Sequence, residues 1–206
     1  MIDYLNPCAA SYKKALLFDR DGTVIVDTVM PYREEDLLFF PDTFEALREA
    51  GSFKAAIILI TNQSGLALGR YREADMTSFH RLILEKLHKE GIRVDAILYC
   101  PHYDKKHFPP GYVGCNCSKP MPGLIKEAEE LFGFLPENSV LIGDKHTDIG
   151  AGIAAGCRAN ILVTTGIYKN GSYEKEELAR RYPPSHVTAN LREAVILAGK
   201  LLSEER

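Results

Sequence analysis

The chain is short of several things that would narrow its role. No run of Lys or Arg stands out, and the formal net charge is −3. Nothing in the sequence therefore marks a nucleic-acid-binding surface. Long apolar runs are also missing. The opening MIDYLNPCAASYKK has no basic start followed by an apolar core, so neither a signal peptide nor a membrane span is expected. No internal repeat or low-complexity tract breaks the pattern. At 206 residues, 46% hydrophobic and 26% charged, the sequence reads as one globular domain over residues 1–206, expected to be a cytoplasmic monomer.

Cysteine is scarce and unevenly placed. Of the five, Cys100, Cys115 and Cys117 crowd into one loop, while Cys8 and Cys157 read as bystanders. An odd, clustered set in a cytoplasmic chain points to metal before disulfides. Cys100-Pro101-His102, a Pro/Gly/Lys-rich stretch and Cys115-Asn116-Cys117 offer three thiols and an imidazole, the donor set of a closed structural Zn2+ site. His107 is the rival imidazole. A Cys115–Cys117 disulfide would close a strained ring over one intervening residue. Zinc here would staple a loop over 100–118 that has no core of its own.

What the chain does have begins at Lys13 to Thr23, KKALLFDRDGT. The apolar run Ala15 to Phe18 has the length of a buried strand and leads into Asp19, Asp21, Gly22 and Thr23. In an open parallel sheet the ligand crevice lies beyond the carboxyl ends of the strands. Two acids so close repel one another and imply a cation, most simply Mg2+ held by carboxylate oxygens. Asp19 can then attack phosphorus, while Asp21 protonates the leaving oxygen and later activates water.

The same arrangement recurs along the chain. Val24 to Val26 and Leu37 to Phe40 read as a hairpin-like flap over the strand end, and Asp42 as the N-cap of a helix from Thr43 to Ala50. Ala55 to Ile60 is a second buried strand, followed by Thr61-Asn62-Gln63-Ser64-Gly65, where Thr61 could donate to a phosphate oxygen. Glu73 to Glu90 has the apolar spacing of a long helix, with His80 and His88 as surface or packing residues. Val94 to Tyr99 supplies a third strand. Lys119, held between Cys117 and Pro120, could neutralise Asp19 and the attacked phosphate. A helix from Pro122 to Phe132 leads to a strand at Val140 to Ile142 and to Gly143-Asp144-Lys145-His146-Thr147-Asp148. Asp144 could complete the Mg2+ shell with Asp19 and a backbone oxygen; Asp148 either orients the neighbouring cation or caps the following helix. That helix ends at Gly156, Asn160 to Val163 is a fifth strand, and a last helix runs from Leu191 to Leu202. Strands alternating with helices predict an α/β, doubly wound parallel sheet.

Four separated pieces, FDRDGT, TNQSG, Lys119 and GDKHTD, resemble in kind and order the haloacid dehalogenase superfamily of phosphohydrolases, over about residues 14–166. The inserted C-x-H…C-x-C resembles its branch of D,D-heptose 1,7-bisphosphate and histidinol-phosphate phosphatases. The resemblance implies a Rossmann-like, capless fold with Mg2+ as catalytic cofactor, Zn2+ as staple and a small phosphorylated metabolite as substrate. It implies Asp19 as nucleophile, Asp21 as acid/base and, through its carbonyl, metal ligand, with Asp144 as a further ligand. Thr61 and Lys119 would stabilise the transferring group. Substrate contacts would fall on Asp27, Thr28, Val29 and Met30 of the flap, on Asn62, Gln63 and Ser64, on Ser118 and on Lys145. Many heptose enzymes of the branch have arginine where this chain has Ser118. A guanidinium grips phosphate bidentately and a hydroxyl does not, so the substrate stays open at this point. A polynucleotide 3′-phosphatase and a non-catalytic zinc-stapled module are the more distant readings. The second is disfavoured by the intact set Asp19, Asp21, Lys119 and Asp144.

Overall fold

The computed structural model describes residues 1–6, 12–103, 114–166 and 176–204. Cys8, His107 and Gly171 lie outside these. The described chain forms a seven-stranded sheet in the order β1-β4-β3-β2-β5-β6-β7, with β1 (Ile2–Leu5), β2 (Ala15–Phe18), β3 (Ala56–Asn62), β4 (Ala96–Cys100), β5 (Val140–Gly143), β6 (Ala159–Val163) and β7 (His186–Thr188). β1 is antiparallel to β4, and the other pairs are parallel.

Every residue of β2 is buried because it lies at the middle of the sheet with helices on both faces. Leu16 and Phe18 enter a core with α1 (Thr43–Gly51), α2 (Glu73–Lys89) and α6 (Leu191–Ser203). Ala15 and Leu17 point the other way, toward α3 (Gly123–Phe132) and α4 (His146–Ala155). The two-residue period of the strand thus serves two cores at once. From β2 the chain runs to β3 and β4 on one side, then crosses to β5 and β6 on the other. The crevice at that reversal is where a doubly wound sheet binds ligands.

Several expectations shift. Asp42 does not cap α1: its backbone is itself helical, φ −96° and ψ −4°, with no side-chain cap bond. Its carboxylate instead accepts from Arg192 N at the start of α6, at 2.8 Å. The flap is looser than a hairpin, with Ile25 bridging Phe39 and Val26 N donating to Leu38 O at 2.8 Å. Strand β3 continues through Thr61 and Asn62. Two strands and one α-helix were not anticipated: β1, β7 and α5 (Glu176–Arg181). β1 and β7 are edge strands of four and three residues whose half-polar sequences carry no long apolar run. No described helix is long and apolar enough to cross a membrane.

Candidate active site

The ends of β2, β3 and β5 bring together Asp19, Thr61 and Asp144, all buried. Asp19 N donates to Ile142 O at 2.9 Å, which ties the nucleophile candidate to the end of the neighbouring strand. Lys119 arrives from the cysteine loop. Its Nζ lies 2.5 Å from Asp19 Oδ1, 2.6 Å from Asp148 Oδ1 and 3.0 Å from Ile60 O. Burial alone would lower this ammonium, but Asp148 and Asp19 outweigh it and hold Lys119 protonated. Burial pushes the Asp19 carboxyl up, against the pull of Lys119.

Asp148 has both functions the sequence left open. Oδ2 accepts from Lys145 N at 2.9 Å, closing the first turn of α4, while Oδ1 takes Lys119. Gly143 permits this approach, because a Cβ there would stand 2.4 Å from Asp148 Cβ. Asn62 uses both ends of its amide on the Lys119 backbone, accepting from N at 3.0 Å and donating to O at 3.2 Å.

Asp144 is wedged between two glycines. A Cβ on Gly22 would lie 2.3 Å from Asp144 Oδ2, and one on Gly166 would lie 1.9 Å away. Gly22 also has φ +93°, where a side chain is strained. Thr165 Oγ1 donates to Gly22 O at 2.7 Å and clamps that turn. Asp19, Asp144 and Asp148 each offer an oxygen within 4.8 Å of the others. Asp148 is already committed to Lys119, whereas Asp19 Oδ2 is buried with no hydrogen-bond partner. Hard oxygen donors beside an unsatisfied buried carboxylate oxygen suit Mg2+. The Asp21 carbonyl accepts from Lys145 Nζ at 3.4 Å, the ammonium that lies 3.7 Å from Asp144 Oδ1.

A cleft of about 890 Å³ opens above these groups. Of the expected substrate contacts, Asp27, Val29, Met30, Asn62, Gln63, Ser64 and Lys145 line it; Thr28 and Ser118 do not. Val29 and Met30 hold positive φ, 71° and 61°, with Val29 N donating to Asp27 Oδ1 at 3.0 Å. Lys145 Nζ sits 3.4 Å from Asp27 Oδ2 and 3.7 Å from Asp144 Oδ1. Phe40, Pro41, Tyr71, Thr165 and Gly166 also line the cleft and were not read from sequence. Tyr71 donates to Gln63 Oε1 at 2.6 Å, and Gln63 Nε2 reaches Thr61 Oγ1 at 2.8 Å and Asp21 Oδ2 at 3.1 Å. Burial pushes the Tyr71 phenol up to about 12.

The cysteine loop brings four soft donors together. Cys100 Sγ lies 3.6 Å from His102 Nδ1, 3.5 Å from Cys115 Sγ and 2.9 Å from Cys117 Sγ, and His102 Nδ1 is 3.3 Å from Cys117 Sγ. Tetrahedral zinc with ordinary bond lengths would set such edges at about 3.7 Å, so three of the four distances fit with little movement. The described cysteines are all free thiols, which excludes the Cys115–Cys117 disulfide. Burial pushes the Cys100 and Cys117 thiols up, a penalty that a bound cation would reverse.

A family model described as HAD-hydrolase-like matches residues 116–194. The chain is 35% identical over 154 residues to the D-glycero-beta-D-manno-heptose-1,7-bisphosphate 7-phosphatase of Vibrio cholerae serotype O1, covering 75% of this chain and 83% of that protein. It is also 35% identical over 150 residues to the D-glycero-alpha-D-manno-heptose-1,7-bisphosphate 7-phosphatase of Campylobacter jejuni, covering 73% and 82%. Among solved structures, D,D-heptose 1,7-bisphosphate phosphatase from B. bronchiseptica, complexed with magnesium and phosphate, superposes with a TM-score of 0.74 at 27% identity, over 90% of this chain and 97% of that one. Identity of this degree over most of both partners, on a sheet that gathers its acids and its lysine at one switch point, means that the chain belongs to the HAD-like hydrolases, a phosphatase grouped with the heptose-bisphosphate 7-phosphatases.

Proposed function

We propose that this chain removes the 7-phosphate of a D-glycero-D-manno-heptose 1,7-bisphosphate, as a Mg2+-dependent phosphomonoesterase with an aspartyl-phosphate intermediate on Asp19. The observation that carries the reading is the Lys119 ammonium, 2.5 Å from Asp19 Oδ1, beside an Asp19 Oδ2 that has no hydrogen-bond partner. A carboxylate that is buried, charge-compensated on one oxygen and open on the other is a poised nucleophile.

An Asp19 oxygen attacks phosphorus, and the bond from phosphorus to the sugar oxygen breaks. The departing oxygen takes a proton from Asp21. Asp21, now a carboxylate, removes a proton from water, whose oxygen attacks phosphorus and releases Asp19 and inorganic phosphate. Thr61 and Lys119 hold the transferring oxygens by hydrogen bond and charge. Bound to Asp19, Asp144 and the Asp21 carbonyl, Mg2+ would supply neutralisation of the phosphoryl charge. The magnesium and phosphate in the B. bronchiseptica relative support that choice of ion. The flap residues Asp27, Val29 and Met30, with Asn62, Gln63, Ser64 and Lys145, form the walls that would contact the sugar. Zn2+ on Cys100, His102, Cys115 and Cys117 would hold the loop that delivers Lys119.

Histidinol phosphate is a second reading with one observation in its favour. Ser118 brings no charge, and Lys145 is the one cation among the described residues lining the cleft. A second phosphate therefore finds little to neutralise it there.

The test is Mg2+-dependent phosphate release from the α and β heptose 1,7-bisphosphates and from histidinol phosphate, with Asp19→Asn as the blank. Preference for one heptose anomer is expected, as relatives of both kinds occur. Preference for histidinol phosphate would select the second reading, and turnover by Asp19→Asn would remove the nucleophile.

A further inference from the structure

Behind the cleft runs a line of buried polar groups that the phosphatase chemistry above leaves unused. Arg20 is fully buried, and one edge of its guanidinium grips Asp21 by two bonds, Nε to Oδ1 at 2.7 Å and Nη2 to Oδ2 at 2.8 Å. Nη1 lies 2.6 Å from His80 Nε2, and His80 Nδ1 lies 2.5 Å from Asp3 Oδ2. Asp3 Oδ1 in turn accepts from Thr77 Oγ1 at 2.7 Å. These residues come from the loop after β2, from α2 and from β1.

The donors and acceptors leave one consistent arrangement. A carboxylate can only accept, so His80 Nδ1 carries the proton toward Asp3. A guanidinium can only donate, so His80 Nε2 must present its lone pair to Arg20. The imidazole is therefore neutral and in a single tautomer, and burial favours that form. Arg20 is fixed further by Pro31 O at 3.3 Å and by the Phe79 ring, whose centroid lies 5.2 Å from the guanidinium carbon. With Nη1 held on the far side, the Nε–Nη2 edge has one direction left in which to point, and Asp21 lies there. Among the described residues Asp21 Oδ2 takes two donors, Arg20 and Gln63, while Oδ1 takes only Arg20. Oδ1 thus keeps a lone-pair direction for a proton.

We propose that Asp3, His80 and Arg20 form a positioning relay, which aims the Asp21 carboxyl at the leaving oxygen from outside the cleft. This rests on the phosphatase reading above. None of the three lines the cleft; Asp3 and His80 line a separate cavity of about 680 Å³ between β1 and α2 residues, which shares no lining residue with the cleft. Arg20 neither touches substrate nor exchanges its proton; it acts through Asp21.

Such a relay has a signature that general loosening lacks. A sugar alkoxide needs the Asp21 proton in order to leave, and a nitrophenolate does not. kcat/KM reports the steps up to departure of the leaving group, so it isolates that need. The experiment measures kcat/KM of the Mg2+-loaded enzyme on heptose 1,7-bisphosphate and on p-nitrophenyl phosphate, for the wild type, His80→Phe, His80→Gln and Asp3→Ala. His80→Phe fills the space but accepts nothing from Arg20, and is expected to lose about 10- to 100-fold on the sugar ester and under about threefold on the nitrophenyl ester. His80→Gln keeps one acceptor and one donor and is expected to restore the sugar-ester rate to within about threefold. Asp3→Ala changes the edge strand β1 rather than α2, and is expected to show the same selective loss should His80→Phe fail to fold. Equal losses on both esters in the folded variants, or no loss at all, would overturn the relay. A wild type that releases phosphate from neither ester would instead overturn the phosphatase reading, and the relay with it.

Discussion

Lys119 Nζ stands 2.5 Å from Asp19 Oδ1 although one hundred residues separate them, and the same ammonium reaches Asp148 Oδ1 at 2.6 Å. One buried cation therefore compensates two buried carboxylates, on different elements, at the bottom of the cleft.

Removing that cation should damage stability as well as turnover. Lys119→Met leaves Asp19 and Asp148 without their partner, and breaking a buried pair in this way costs about 3–5 kcal/mol. Phosphate release is expected to fall by at least about 100-fold. Mg2+ should recover part of the stability and little of the rate. Melting temperature with and without Mg2+, beside phosphate release, checks both; a variant as stable as the wild type without Mg2+ would contradict the assigned compensation.

The two glycines against Asp144 make a prediction about metal affinity. A methyl group at Gly166 would fall 1.9 Å from Asp144 Oδ2, so Gly166→Ala must displace the carboxylate. The Mg2+ concentration giving half-maximal phosphate release is expected to rise about 10- to 100-fold, in the range seen when the supports of a metal ligand are lost. An unchanged Mg2+ titration would mean that Asp144 is not a ligand.

Zinc content tests the cysteine loop. Cys115→Ser should lower bound zinc, melting temperature and, through displacement of Lys119, turnover. Elemental analysis of the purified wild type and variant reads the metal directly. Equal metal content with equal melting temperature would remove the zinc staple.

The buried histidine gives stability a pH dependence of definite sign. Burial holds His80 below its ordinary value, against the hydrogen bond to Asp3. An unfolded histidine titrates near about 6.5, so below that pH the unfolded chain takes up a proton that the folded chain resists. Stability is then fully present above about pH 6.5 and falls as the pH drops through the window beneath it. Burial pushes Asp3 up, but the hydrogen bonds from His80 and Thr77 hold it below its ordinary 3.8, so its own contribution is lost only in stronger acid. Between about pH 7 and about pH 5 the melting temperature of the wild type should therefore fall more than that of His80→Gln. Parallel curves would show that His80 does not titrate across unfolding.

The residues that local chemistry makes conspicuous were legible in the chain itself. Asp19 and Asp21 follow a run of four buried apolar residues, Asp144 follows another, and strand tips in an alternating α/β pattern can only meet at one edge of a parallel sheet. The thiols of Cys100, Cys115 and Cys117 announced a metal by their type and crowding, and the order of the motifs carried the family. None of that needed a three-dimensional partner to be named.

What the tertiary structure alone decided is which groups face one another. His80 read as a surface or packing residue because helical spacing does not say what a polar side chain meets; it meets Arg20 and Asp3. Asp148 was undecided between a cap and a cation partner, and does both because Gly143 lets α4 close on Lys119. Asp42 lost its cap role to Arg192 N, 150 residues away. Side-chain type and spacing are local properties of a chain, written in its order. Hydrogen-bond partnership between distant residues depends on strand order, register and which face each helix turns inward, and these are settled only when the whole core packs.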